Sequence, residues 1–176
     1  MHWQQLHWIL VKLLVLLTLS LPYSNNQEHN TKMVDAQKIE DITHKYTRVS
    51  YNRIFISDSD YSIPTKKWVT RNYKKYYKKK MNEDKTLGLL WKEKHDCDNF
   101  STAYRMYLQA LHSIQPGKSG ESIAVAEIWY MRDIGGGHAI NLVIVDDYQP
   151  LFIEPQTGDE VKLSNKEKLS IWFVRF

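Results

Sequence analysis

The chain holds one cysteine, Cys97, within HDCDNFSTAYRMYLQAL at 95–111. Phe100, Ala103, Tyr104, Tyr107, Leu108 and Leu111 recur at helical spacing, and Asp96 is a fitting N-cap for that helix. The pattern places the thiol in the first turn. Unpaired N–H groups and the positive end of the macrodipole favour a thiolate there and can stabilise a developing oxyanion. Asp96 and Asp98 flank the thiol and disfavour its ionisation unless their carboxylates turn away from the sulfur.

A nucleophilic thiol needs a base, most often histidine. Of the seven histidines, His2 and His7 lie in the apolar N-terminal region, His29 in a polar stretch, His44 well upstream of the helix and His112 at its far end. His95 lies on the incoming loop. His138 opens HAINLVIV at 138–145, directly after three glycines that leave backbone room beside it. An imidazole base in turn needs an orienting acceptor. Glu154 follows His138 by 16 residues, the spacing of a strand, a turn and a returning strand. Asn141 is the alternative, but strand alternation sets it on the face opposite His138. Gln156 is a further hydrogen-bonding candidate. A metal site at His95, Asp96, Cys97 and Asp98 is disfavoured, because contiguous residues converge poorly on one ion.

These residues need elements to hold them. After the helix, QPGKSG at 115–120 turns the chain. SIAVAEIWYM at 122–131 reads as a strand, DIGGG as a turn and 138–145 as a buried central strand; 151–154, 161–163 and 171–176 complete a sheet. A helix followed by sequential antiparallel strands predicts an α+β domain with the nucleophile at a helix N-terminus packed on the sheet. Upstream, 51–56 alternates like a short strand.

The composition, 43% hydrophobic and 25% charged over 176 residues, is that of one globular domain. Residues 9–21, ILVKLLVLLTLSL, are too short for a comfortable membrane span and suit a signal-peptide core. The organisation expected is a signal peptide or uncleaved anchor at 1–24, a linker at 25–40 and the domain at 41–176. Export follows: secreted, periplasmic or membrane-associated. A lone thiol in an exported chain forms no internal disulfide and is reactive, intermolecular or an inert core group. Residues 66–80, KKWVTRNYKKYYKKK, carry eight Lys or Arg and no acid. They read first as a solvated face whose aromatics pack on the domain. Docking on an anionic surface or nucleic acid is the alternative.

DCDNF opening a helix, GGHAINLVI opening a strand and IEPQTG ending the next hairpin resemble the transglutaminase-like and papain-like cysteine peptidase superfamily. Within it they are most similar to the papain-like protease domain of the mushroom agglutinin type. The resemblance covers roughly 88–160. It implies a Cys97–His138–Glu154 triad acting on a peptide or protein substrate by hydrolysis or acyl transfer, with no required cofactor. The stretch before Cys97, LLWKEKHD, lacks the glutamine that papain uses for its oxyanion hole, so Trp91 or the Cys97 backbone N–H takes that role. The resemblance also admits calcium, for which Asp96, Asp98 and Asn99 are the oxygen ligands on offer. The competing reading is a non-catalytic binding or adhesion domain on the same fold, with 66–80 as its contact surface.

Overall fold

The computed structural model describes residues 29–83 and 96–176. The signal segment at 1–24, Trp91 and His95 therefore lie outside the described residues.

The order is β1 (Thr31–Asp35), α1 (Ala36–Thr47), β2 (Ile54–Phe55), β3 (Asp60–Pro64), a π-helical segment (Trp68–Tyr73) running into α2 (Lys74–Glu83), and α3 (Cys97–Ser113). Then come β4 (Val125–Met131), β5 (Gly137–Ile144), β6 (Pro150–Glu154), β7 (Asp159–Val161), α4 (Asn165–Leu169) and β8 (Phe173–Arg175). β1 and β3 form an antiparallel ribbon. The other six strands form one sheet in the order β2-β8-β4-β5-β6-β7, antiparallel except between β2 and β8. The α+β class expected from the element order is the observed one.

β5 lies inside this sheet with packed cores on both faces. Tyr73, Tyr77, Phe100, Tyr104 and Leu108 cover the odd-numbered side, Val143 and Val145. Ile39, Ile42, Tyr61 and Ile63 cover the even-numbered side, Ile140, Leu142 and Ile144. Burial on both sides is why 139–145 reads as an apolar run rather than an alternation.

Two expectations differ from the structure. The polar stretch assigned as a linker at 25–40 is ordered from Thr31 onward, as β1 and the start of α1. Asp35 accepts a hydrogen bond from the Lys38 N–H at 2.7 Å and so caps α1. Only Ile39, Ile42, Thr43 and Thr47 of that helix are buried, an apolar stripe too thin to stand out in sequence. The segment at 51–56 is a single 3₁₀ turn, Tyr51–Arg53, followed by the two-residue β2.

The basic aromatic segment faces inward with its rings. Trp68, Tyr73 and Tyr77 are buried, and the Tyr73 hydroxyl donates to the Tyr104 carbonyl at 2.6 Å. The π-helical turn lengthens one step, so that Trp68 and Tyr73, five apart, share a face that Tyr77 and Met81 continue at spacings of four. Stacking of bases on these three rings is thereby excluded.

At the other end of α3, His29 and His112 share a hydrogen bond of 2.7 Å, and the His29 ring lies 3.9 Å from that of Trp68. Lys118 and Glu121 are the charges beside them, and Ser62 hydrogen-bonds Glu121. Burial holds both imidazoles at about 4, below the ordinary 6.5. The unfolded chain takes up protons first as pH falls. Stability is therefore full above pH 6.5, declines between 6.5 and 4, and levels off below. For His112 the loss is on the order of 3 kcal/mol. A denaturant titration at pH 7 and at pH 4.5 measures it, and His112→Gln should flatten the difference.

Candidate active site

Cys97 is the first residue of α3 and is partly buried. The cap that starts this helix uses Asn99, whose side-chain oxygen accepts the Asp96 N–H at 3.2 Å. The Asn99 N–H in turn donates to Asp98 at 2.8 Å. The thiol lies against the backbone of Ala139, the residue after His138, and a hydrogen bond from that backbone favours the thiolate.

Other effects outweigh that bond. Burial first, then the charges of Asp96 and Asp98, push the thiol above its ordinary value. The expectation that a helix N-terminus depresses this thiol is thus corrected. The Asp98 carboxylate also lies close to that of Asp96 and raises it. The alkylation rate of Cys97 by iodoacetamide should consequently titrate above the ordinary thiol range, and Asp96→Asn with Asp98→Asn should move its midpoint down. An unchanged midpoint in the double variant would show that the carboxylates do not act on the sulfur.

His138 and Glu154 meet. The His138 Nε2 lies 2.8 Å from Glu154 Oε2, with the two side chains 15% and 20% exposed. The β5–β6 ladder pairs Asn141 with Ile153, so continuing it sets Glu154 opposite Ile140 and diagonal to His138 on the same face. The expected side-by-side placement is off by two residues, a separation that long side chains span. The second Glu154 oxygen accepts the Gln156 backbone N–H at 3.2 Å, so Gln156 acts through its main chain while its side chain is exposed. The Glu154 carbonyl accepts from Gly158 at 2.7 Å, closing the turn.

That turn is clamped from α2. The Tyr77 hydroxyl donates to the Pro155 carbonyl at 2.7 Å, and Lys74 pairs with Asp159. Asn141 lies under α3, its amide donating to the carbonyls of Ser101 at 2.9 Å and Ala126 at 3.3 Å.

Two neighbours were not foreseen. Tyr130 sits directly across from His138 in the β4–β5 register, ring centroids 5.9 Å apart. Burial foremost, with Glu167, Glu154 and Cys97 nearby, raises its hydroxyl to about 12. Trp172 packs on Gly137, where an added Cβ would stand 3.4 Å from the indole ring. The glycines serve this contact and the tip, where Gly135 and Gly136 hold φ of 90° and 82°. Folding the hairpin symmetrically about DIGGG sets Arg132 opposite His138, so the off-centre register hid Tyr130, and no sequence signal pointed to Trp172.

The Asn99 oxygen is committed to the cap, and one Asp98 oxygen accepts the Asn99 N–H. No group of three or more His, Cys, Asp or Glu positioned for a metal occurs among the described residues. Calcium stays an expectation, and no chemistry is routed through it.

No family model matches the chain, and no curated protein matches it. Solved structures do. The chain is similar to a structure described as the PSL1a–E64 complex, with a TM-score of 0.64 and 16% identity over 82% of this chain and 51% of that one. It is also similar to the Polyporus squamosus lectin bound to a human-type influenza-binding epitope, with a TM-score of 0.62 and 16% identity over 82% and 49%. These likenesses show a shared, mushroom-lectin-type fold. The chain spans about half the length of these neighbours. The resemblance to the mushroom agglutinin type, read from three short motifs, holds at this level of fold.

Proposed function

We propose that the chain is a thiol-dependent amide hydrolase or acyl transferase, with Cys97 as nucleophile, His138 as base and Glu154 as the group that orients it. The observation that carries this reading is the His138–Glu154 hydrogen bond at the end of β5, with Cys97 opening α3 against the next residue of that strand. Glu154 occupies Nε2, so Nδ1 is the nitrogen left for the thiol. His138 removes the thiol proton as the sulfur attacks. The carbon–sulfur bond forms, His138 returns the proton to the leaving amine, and the carbon–nitrogen bond breaks. Water or an amine then releases the acyl group, with His138 again taking a proton. A peptide or protein amide is the substrate class. The backbone N–H of Cys97 is an available donor to the oxyanion.

The presence of E64 in one neighbour supports this reading, since such epoxides alkylate reactive thiols. The lectin neighbours favour the second reading, a binding domain without catalysis, and as far as the comparisons go they favour it over the enzyme. The discriminating experiment is labelling of the full chain with an E-64-type epoxide, read by intact mass. Stoichiometric labelling that Cys97→Ala abolishes supports the enzyme. No labelling and no amide turnover, with retention on an immobilised glycan, supports the binding domain.

A further inference from the structure

We infer that the outer face of the helix spanning 66–83 is a docking surface for an anionic phospholipid membrane. Lys67, Arg71 and Lys75 fall at every fourth residue, on the side away from buried Trp68, Tyr73 and Tyr77, and Lys78 extends the row. Lys67, Arg71, Lys75 and Lys78 are exposed, and none forms an ion pair among the described residues. Lys66, Lys74, Lys79 and Lys80, by contrast, pair with Glu160, Asp159 and Glu83. The row is roughly 16 Å long at the rise of a helix.

The charge is concentrated here. Without the eight Lys and Arg of 66–80, the remaining 16 basic residues would be outnumbered by the 20 acids. A molecule polarised in this way presents one face to an anionic plane and turns the rest away.

Two observations select a membrane over a nucleic acid. Of the aromatics interleaved with the lysines, Trp68, Tyr73 and Tyr77 are buried in the core and half-buried Tyr76 lies beneath Lys80, so no open row of rings offers the stacking that single-stranded nucleic acids use. The chain also enters the described domain at His29, whose ring packs on Trp68, the residue beside Lys67. The apolar run at 9–21 is thus joined by seven residues to the first turn of the basic row. That connection reaches at most about 28 Å. If the run is kept as an anchor, its insertion and the contact of the row reinforce each other; if it is removed, the row acts alone.

The experiment is flotation of the full chain with vesicles of phosphatidylcholine, with and without 30 mol% phosphatidylglycerol, at about 100 mM salt. The test variant neutralises Lys67, Arg71, Lys75 and Lys78 to glutamine. The comparison variant neutralises the exposed Lys38, Lys45, Lys162 and Lys166, an equal change of charge elsewhere on the domain. Each cation of the row should contribute roughly fivefold, so the test variant should bind anionic vesicles at least about 100-fold more weakly. The comparison variant should bind within a few-fold of the parent. Equal loss in both variants would overturn the proposal in favour of net charge alone. Equal binding to neutral vesicles would overturn it in favour of the apolar run. Binding to a duplex oligonucleotide but not to vesicles would overturn it in favour of a nucleic-acid surface.

Discussion

Replacing Cys97 with alanine should lower amide turnover by about 10⁴-fold or more while leaving the fold in place. The residue is partly buried at the start of α3, and alanine is a good helix former there. The structural cost should stay below about 1 kcal/mol, a few degrees in Tm. Turnover on a fluorogenic amide and a thermal melt of the same sample measure the two effects separately. Full turnover in the variant would sink the nucleophile assignment. Loss of the cooperative melt would instead make the thiol a packing group.

The second large effect is expected at Glu154. Glu154→Ala removes the acceptor 2.8 Å from His138 Nε2 and leaves the imidazole free to rotate and change tautomer. Turnover should fall by about 10²- to 10³-fold. Glu154→Gln keeps an acceptor oxygen at the same reach and loses only the charge that steadies the imidazolium, so it should retain more activity than Glu154→Ala. Iodoacetamide reactivity of Cys97 should hardly change in either variant, because burial and Asp96 and Asp98 dominate that thiol's ionisation. Asn141→Ala is the informative comparison. It should destabilise the domain by about 1–3 kcal/mol, through buried carbonyls at Ser101 and Ala126 left without their donor, with little change in the pH profile of kcat/KM. If Asn141→Ala abolishes turnover in the folded protein and Glu154→Ala does not, the orienting residue is Asn141 and the triad must be redrawn.

What the sequence made legible follows from where local pattern and tertiary context agree. α3 carries a continuous apolar stripe and a cap, so its start at Cys97 could be placed to within a residue. β5 could be recognised because burial on both faces leaves it apolar throughout. The His138–Glu154 contact needed only the length of a hairpin. The ordered region from Thr31 was missed because β1 is the largely exposed strand of its ribbon, laid on the buried β3, and shows no apolar alternation. The inward turn of the rings at 66–80 could be expected in general, but not the π-helical step that aligns Trp68 with Tyr73. The sign of the shift at Cys97 was beyond a reading of helix position alone. It depends on how deeply the thiol is buried and on how near the charges of Asp96 and Asp98 stand to it, both of which are set by packing.

The position of His138 on β5 has a bearing on motion. From Asn141 to Val143 the strand is paired on both sides and sealed on both faces, so its amides can open only when the whole domain does. Beyond the end of the β5–β6 ladder, the strand runs out through His138 into Gly137, Gly136 and Gly135, which are exposed at the hairpin tip. Opening this end costs the last two pairings with β4, at Tyr130 and Met131, and the contacts to Trp172 and α4. The imidazole thus stands at the boundary between a part of the chain that exchanges with solvent on the timescale of global unfolding and a part that exchanges by local fraying. A substrate could prise the tip open without loosening the strand that fixes the base in place.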